Sequence, residues 1–196
     1  MPLTRDEIIK PNVRLYIWQM TEKIEDLFVP PFIDLSHFHS EHRQREVLTT
    51  YNLLYDITGR NDLRIEHDMD GKPVVAGWNI SISHTKGWLA VILSPDHQVA
   101  IDIEYLSDRV KKVAKRFIRP DENGDGLTRQ LIHWCAKETI YKLFGPEKLQ
   151  YFEMRLKPFA LSTLGNVEVE NLKLPKSAWV NYEVNDDFVL TYSVLE

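Results

Sequence analysis

The sequence predicts an α+β fold of two similar halves, each a small antiparallel sheet packed with helices. Strand-like runs fall near the start, the middle and the end of the chain, with helix-like stretches between them. Two segments also resemble each other: WNISISHTKGWLAVILS from Trp78 and WVNYEVNDDFVLTYSVL from Trp179. Each opens on Trp, forms a strand, turns, and re-enters on an aromatic residue, Trp88 or Phe188.

The elements follow in order. Val13 to Met20 is an almost wholly apolar strand, Leu15, Ile17 and Gln19 alternating with Tyr16, Trp18 and Met20. A helix starts behind Ser40, a good N-cap, and carries Val47, Leu48, Leu53, Leu54 and Ile57 to a stop at Gly59. Asp70-Gly71 marks a turn ahead of Lys72-Pro73. Trp78 to Glu104 reads as a three-strand meander, turning at His84 to Gly87 and again at Pro95-Asp96. Two helices follow, near Asp108 to Ile118 and Thr128 to Phe144, the second stopped by Gly145-Pro146. Val167 to Leu174, Ala178 to Val184 and Phe188 to Leu195 return to strand, with Asn185-Asp186-Asp187 as a turn.

Composition narrows the function. The chain has 196 residues, 29 acidic against 24 basic side chains, a net charge of −5 and one cysteine. Cys135 alone excludes a disulfide framework and a Cys-rich zinc module, and the acidic balance is wrong for bulk nucleic-acid binding. No apolar run reaches the roughly 18 residues that span a bilayer, and MPLTRDEIIKP lacks the apolar stretch of a signal peptide. The expectation is a cytoplasmic protein without a membrane or nucleic-acid partner.

The chemistry concentrates in two elements. Along Val99 to Glu104, Val99, Ile101 and Ile103 share one face while Asp102 and Glu104 share the other. Carboxylates two positions apart on a strand lie roughly 7 Å apart at Cα, close enough to converge on one hard cation, although an ordinary half-exposed strand shows the same alternation. In the later helix Ile132, Ala136, Ile140 and Leu143 form an apolar stripe. Glu138 and Lys142 lie opposite, yet among Leu131, Trp134 and Tyr141, so the helix is covered on both sides. An enclosed acid–lysine pair needs compensation, which a metal or phosphate supplies; three carboxylates and a lysine make a Mg²⁺-phosphoryl site. Ser83-His84, at a strand end, offers a phosphate donor or base, or simply a polar hairpin cap.

GKP at Gly71 to Pro73, NISISHT at Asn79 to Thr85, AIDIE at Ala100 to Glu104, AKRF at Ala114 to Phe117 and WCAKETIYK at Trp134 to Lys142 resemble, in order and spacing, the motifs of Sfp-type 4'-phosphopantetheinyl transferases of the holo-acyl-carrier-protein synthase superfamily. The resemblance is dense from Gly71 to Lys142 and thin outside it. It implies two pseudo-twofold-related halves, 1–104 and 105–196, with the active site in the cleft between them and a monomer as the working form. The activity implied is transfer of the phosphopantetheine arm of coenzyme A to a serine of an apo acyl or peptidyl carrier protein, releasing 3',5'-ADP.

By position, the resemblance makes Asp102, Glu104 and Glu138 the Mg²⁺ ligands. Glu138, or a water it orients, takes the serine proton, and Lys142 serves the departing phosphate. His84, helped by Ser83, binds a coenzyme phosphate, and Lys72 and Arg45 contact the coenzyme, including its 3'-phosphate. The Arg45 match is loose, because the Gly and downstream Arg expected on that helix are replaced by Thr49 or Thr50 and by Leu54 or Tyr55. Cys135, in a slot often held by Ser or Thr, reads as packing.

His37, His39 and His42 imitate part of a zinc site but straddle a helix start, with no fourth ligand pattern. Asp121, Asn123, Asp125 and Gly126 imitate a calcium loop whose bidentate acid is replaced by Ile132. Lys111, Lys112, Lys115, Arg116 and Arg119 form either a solvated helix face or a basic surface that steers an acidic carrier. Two rival functions are a non-catalytic homologue that binds coenzyme A or a carrier as a scaffold, and a Mg²⁺-dependent phosphohydrolase. Retention of the acids, Lys142 and His84 counts against the first, the ISHT and GKP matches against the second.

Overall fold

The computed structural model describes residues 3–195. Met1, Pro2 and Glu196, which belong to the N-terminal stretch and to the two halves read above, lie outside the described residues. The strands are β1 (Leu3–Lys10), β2 (Val13–Gln19), β3 (Glu66–His67), β4 (Pro73–Val74), β5 (Asn79–Thr85), β6 (Trp88–Ser94), β7 (Gln98–Tyr105), β8 (Met154–Leu156), β9 (Leu164–Asn171), β10 (Lys176–Val184) and β11 (Phe188–Leu195). The helices are α1 (Glu41–Thr58), α2 (Arg109–Val113) and α3 (Leu127–Leu143).

The fold is α+β, with sheets of antiparallel strands. One sheet has the order β1-β2-β6-β5, a second β7-β11-β10-β9-β8, and β3 and β4 form a small ribbon. The two larger sheets repeat one arrangement: an incoming strand (β2 or β7) pairs with the second strand of a later hairpin (β6 of β5–β6, or β11 of β10–β11), with a long helix in the intervening chain.

Alternation along the strands sorts the core into layers. Val13, Leu15 and Ile17 of β2 pack with Val99, Ile101 and Ile103 of β7 between the sheets. Tyr16 and Trp18 face the other way and pack with Leu53 and Leu54 of α1. On the far side, Ala100 of β7 joins Ile132, Ala136 and Ile140 of α3. The sheets therefore face each other with α1 and α3 outside, and the Asp102–Glu104 face of β7 turns toward α3.

The helix ends match their sequence signals. Ser40 Oγ accepts from Arg43 N at 3.2 Å, and Gly59 closes α1 with φ +66°, where a residue without Cβ is least strained. The early strand, all three helix starts and the last three strands lie within a few residues of where the sequence puts them.

Two readings are corrected. Trp78 to Glu104 is not one meander: β5 and β6 pair, but β7 leaves their sheet and forms an edge of the other. The 104/105 division therefore falls at the last residues of a strand that hydrogen-bonds into the five-stranded sheet. The predicted helix from Asp108 to Ile118 is a short α2 followed by a 3₁₀ turn, Ala114–Arg116.

At the seam, β7 lies beside β5 and runs in the same direction, and side-chain hydroxyls replace the missing ladder. Ser81 Oγ accepts from Ile101 N (3.1 Å), Ser83 Oγ from Ile103 N (3.3 Å) and Thr85 Oγ1 from Tyr105 N (3.1 Å). The NISISHT alternation thus closes the join between the sheets.

Candidate active site

Period two on β7 and helical spacing on α3 bring the predicted acids and lysine to one side of this seam. Lys142 Nζ donates to Asp102 Oδ1 (2.8 Å), to Ile101 O (2.9 Å) and, at 3.5 Å, to Ile82 O, so one ammonium spans β5 and β7. Asp102 Oδ1 also accepts from Ser83 Oγ at 2.8 Å, while Oδ2 is buried without a partner. Glu104 is held at both oxygens, Oε2 by Thr85 Oγ1 and Oε1 by Trp134 Nε1, each at 3.2 Å. Glu138 Oε1 accepts from the Tyr151 hydroxyl at 2.7 Å.

The electrostatics follow from this crowding. Burial pushes the Glu104 carboxyl above its ordinary range, and the Asp102 charge adds to that against the Thr85 and Trp134 hydrogen bonds. Burial raises Glu138 in the same way, opposed by the Tyr151 hydrogen bond and reinforced by Asp102. Cys135 is buried, its thiol pushed up by burial and then by Asp102 and Glu104; it packs in the core, as the sequence reading has it.

A cleft of about 1090 Å³ opens beside these groups. Glu138, Lys142, His84 and Lys72 all line it. Lys72 projects from a turn in which Gly71 takes φ +80° and Asp68 Oδ1 accepts from the Asp70 and Lys72 amides, both at 2.9 Å. His84 Nε2 lies 3.0 Å from Thr50 Oγ1, which itself lies 2.7 Å from Glu46 O. The threonine proton goes to that carbonyl, so His84 Nε2 donates and Nδ1 is the acceptor of the neutral ring. Burial lowers the His84 pKa to about 4, Arg43 and Lys142 adding to the shift and Glu46 opposing it.

Two assigned residues sit differently from the sequence reading. Arg45 is outside the cleft lining; Arg43, Val47, Thr50 and Tyr51 form the stripe of α1 that faces the cleft, at i, i+4, i+7 and i+8. Two residues along a helix is more than half a turn, so Arg45 is carried off that stripe, and its Nε is buried unpaired. Ser83 and His84 do not share a phosphate-facing side either: alternation sends the serine hydroxyl to Asp102 and the imidazole to Thr50. Arg43, Thr50, Trp134 and Tyr151 are given no site role in the sequence reading, although Trp134 opens one of its motifs; the i, i+4, i+7 stripe of α1 is the signal that would have found the first two.

The decoys resolve simply. His37 and His42 are exposed and lie near acids of their own segments, Asp34 (3.6 Å) and Glu46 (3.1 Å). The calcium-like loop spends its polar groups locally: Asp121 pairs with Arg119 and Arg155, and Asn123 Oδ1 accepts from Asp125 N. In the basic segment Lys111 pairs with Asp108, Arg119 is tied to Asp121 and Phe152 O, and Lys112, Lys115 and Arg116 are exposed.

Among the described residues no group of three His, Cys, Asp or Glu side chains is gathered closely enough to hold a metal. The donor chemistry nevertheless fits a hard divalent cation. Asp102 Oδ2 is an orphaned buried acceptor, Glu104 and Glu138 sit in the field of Asp102, and among the described residues Lys142 is the one cation bonded to any of the three. Among the described residues no helix is long and apolar enough to cross a membrane.

Residues 98–193 match the family model of the 4'-phosphopantetheinyl transferase superfamily, just under half the chain. The span runs from the first residue of β7 into β11, so it contains the three acids and Lys142, while Lys72 and His84 precede it. No curated protein matches the chain. The family match supports a transferase activity of the phosphopantetheinyl type, with coenzyme A and a carrier protein as the partners it implies.

Proposed function

We propose that the protein is an Sfp-type phosphopantetheinyl transferase with holo-acyl-carrier-protein synthase activity, working as a cytoplasmic monomer with its site between the two halves. The observation that carries this reading is a shared lining: Glu138 and Lys142 of α3 line one cleft together with His84, Lys72 and Arg43, with Asp102 beside Lys142 at the seam. The acids suit a metal and a reacting hydroxyl, the basic side chains an anion with several phosphates.

In this reading the carrier serine oxygen attacks the β-phosphorus of coenzyme A, and the bond from that phosphorus to the oxygen of 3',5'-ADP breaks. Asp102, Glu104 and Glu138 would hold Mg²⁺, which when bound neutralises charge on the pyrophosphate. Glu138, raised by burial, accepts the serine proton directly or through water. Lys142 places its ammonium against the leaving phosphate. His84 takes up a proton to hold a phosphate oxygen, and Lys72 with Arg43, in place of Arg45, neutralises the rest of the coenzyme. Ser83 orients Asp102 rather than touching phosphate.

Chromatography of a reaction with Mg²⁺, coenzyme A and an apo carrier tests this against the rivals. A transferase releases 3',5'-ADP only when the carrier is present. A phosphohydrolase releases nucleotide without the carrier, and a scaffold releases none.

A further inference from the structure

We propose that Tyr151 is a positioning residue for Glu138, and that the buried Lys137 ammonium holds Tyr151 in place. The inference rests on the transferase reading and adds to it a residue outside the sequence motifs.

Lys137 precedes Glu138 on α3 but turns onto a different face, among the 117–122 and 151–156 segments, where its side chain is 0% exposed. All three ammonium protons are spent: on Glu122 Oε2 (2.8 Å), Phe117 O (2.7 Å) and Tyr151 O (3.2 Å). Glu122, equally buried, also accepts from the amides of Arg119 and Leu156, both at 2.7 Å. One buried ion pair therefore pins the 117–122 loop and the 151–156 segment to α3. A buried pair adds little net stability compared with apolar packing; what this one does is fix three segments against each other.

That geometry reaches the site through aromatic rings. Phe117, Trp134 and Tyr151 pack together, with ring centroids 5.1 Å apart for Phe117–Trp134, 5.4 Å for Trp134–Tyr151 and 6.3 Å for Phe117–Tyr151. Two of the three carry a polar tip, and each tip reaches a different acid: Trp134 Nε1 donates to Glu104 and the Tyr151 hydroxyl to Glu138. Tyr151 takes Oε1 of Glu138 and leaves Oε2 without a hydrogen bond among the described residues. The phenol thereby selects which carboxylate oxygen is available to the cleft.

The test is Tyr151→Phe in the full chain, which removes the hydroxyl and keeps the ring. Two readouts are taken: steady-state transfer with kcat and KM resolved, and calorimetric titration of Mg²⁺ into protein saturated with coenzyme A. The expected result is a loss of about 10- to 100-fold in kcat and in Mg²⁺ affinity, with KM for coenzyme A unchanged. Wild-type kcat and Mg²⁺ affinity in the variant would overturn the inference while leaving the transferase reading intact, as would a loss confined to KM. Absence of both transfer and Mg²⁺ binding in the wild type removes the reading and the inference together. Lys137→Met should lower kcat in the same way, and adding Tyr151→Phe to it should cost little more; if Lys137→Met does not fold, Tyr151→Phe decides alone.

Discussion

The Lys142 ammonium donates to Asp102 Oδ1 at 2.8 Å and, in the same cluster, to the Ile101 carbonyl at 2.9 Å. A lysine expected only to serve a leaving group is also the cation that joins two sheet edges and balances a buried acid. Lys142→Met should therefore destabilise the chain as well as stop transfer, by about 3 kcal/mol in urea unfolding, because Asp102 is left buried and charged. Adding Asp102→Asn should recover much of that loss without recovering activity. A single variant within about 0.5 kcal/mol of wild type would show that the pair has no structural role.

The exposed Lys112, Lys115 and Arg116 follow β7 in the chain and lie outside the cleft lining. Replacing Lys112 and Lys115 by Glu should raise KM for an acidic carrier several-fold, more so at low salt, and leave KM for coenzyme A unchanged. Equal effects on the two Michaelis constants would remove the docking role.

With a pKa near 4 and Nε2 committed to Thr50, His84 is neutral at pH 7 in the free protein. Binding a phosphate to its ring then requires proton uptake at Nδ1. Calorimetric titration of coenzyme A at pH 7 in buffers of different ionisation enthalpy should show this uptake, and His84→Gln should abolish it. Uptake equal in wild type and variant would place the phosphate elsewhere.

His133 is buried, its pKa lowered to about 4 chiefly by burial. A depressed pKa means that the unfolded chain binds the proton first. The contribution is complete above the unfolded value near 6.5 and is lost as pH falls toward 4, by up to about 1.4 kcal/mol per pH unit. Denaturant unfolding from pH 7 to 4.5 should show this slope, shallower in His133→Gln. The same slope in both proteins would assign it to other groups.

Much of the site was legible because it depends on local periodicity. Alternation alone puts Asp102 and Glu104 on the face of β7 opposite Ile101 and Ile103, and helical spacing puts Glu138 and Lys142 one turn apart on α3. The path of β7 was not legible: its pattern says which residues share a face but not which sheet receives the strand. β1 escaped notice because as an edge strand it is mostly polar, LTRDEIIK, with little alternation to read. β8 is only three residues long. Arg43, Trp134 and Tyr151 become partners of the site through tertiary packing between segments far apart in the chain. Arg43 lines the cleft and Arg45 does not, because a shift of two residues on a helix changes the face.

The central claim is that the residues lining this cleft move a phosphopantetheine arm. Purified protein incubated with Mg²⁺, coenzyme A and an apo carrier, acyl and peptidyl types in turn, should increase the intact mass of at least one carrier by one phosphopantetheine, and Asp102→Ala or Glu138→Ala should abolish the gain while the protein stays folded. Carriers of both types that keep their apo mass would contradict the account, and undiminished transfer by either variant would show that the acids of β7 and α3 are not the site.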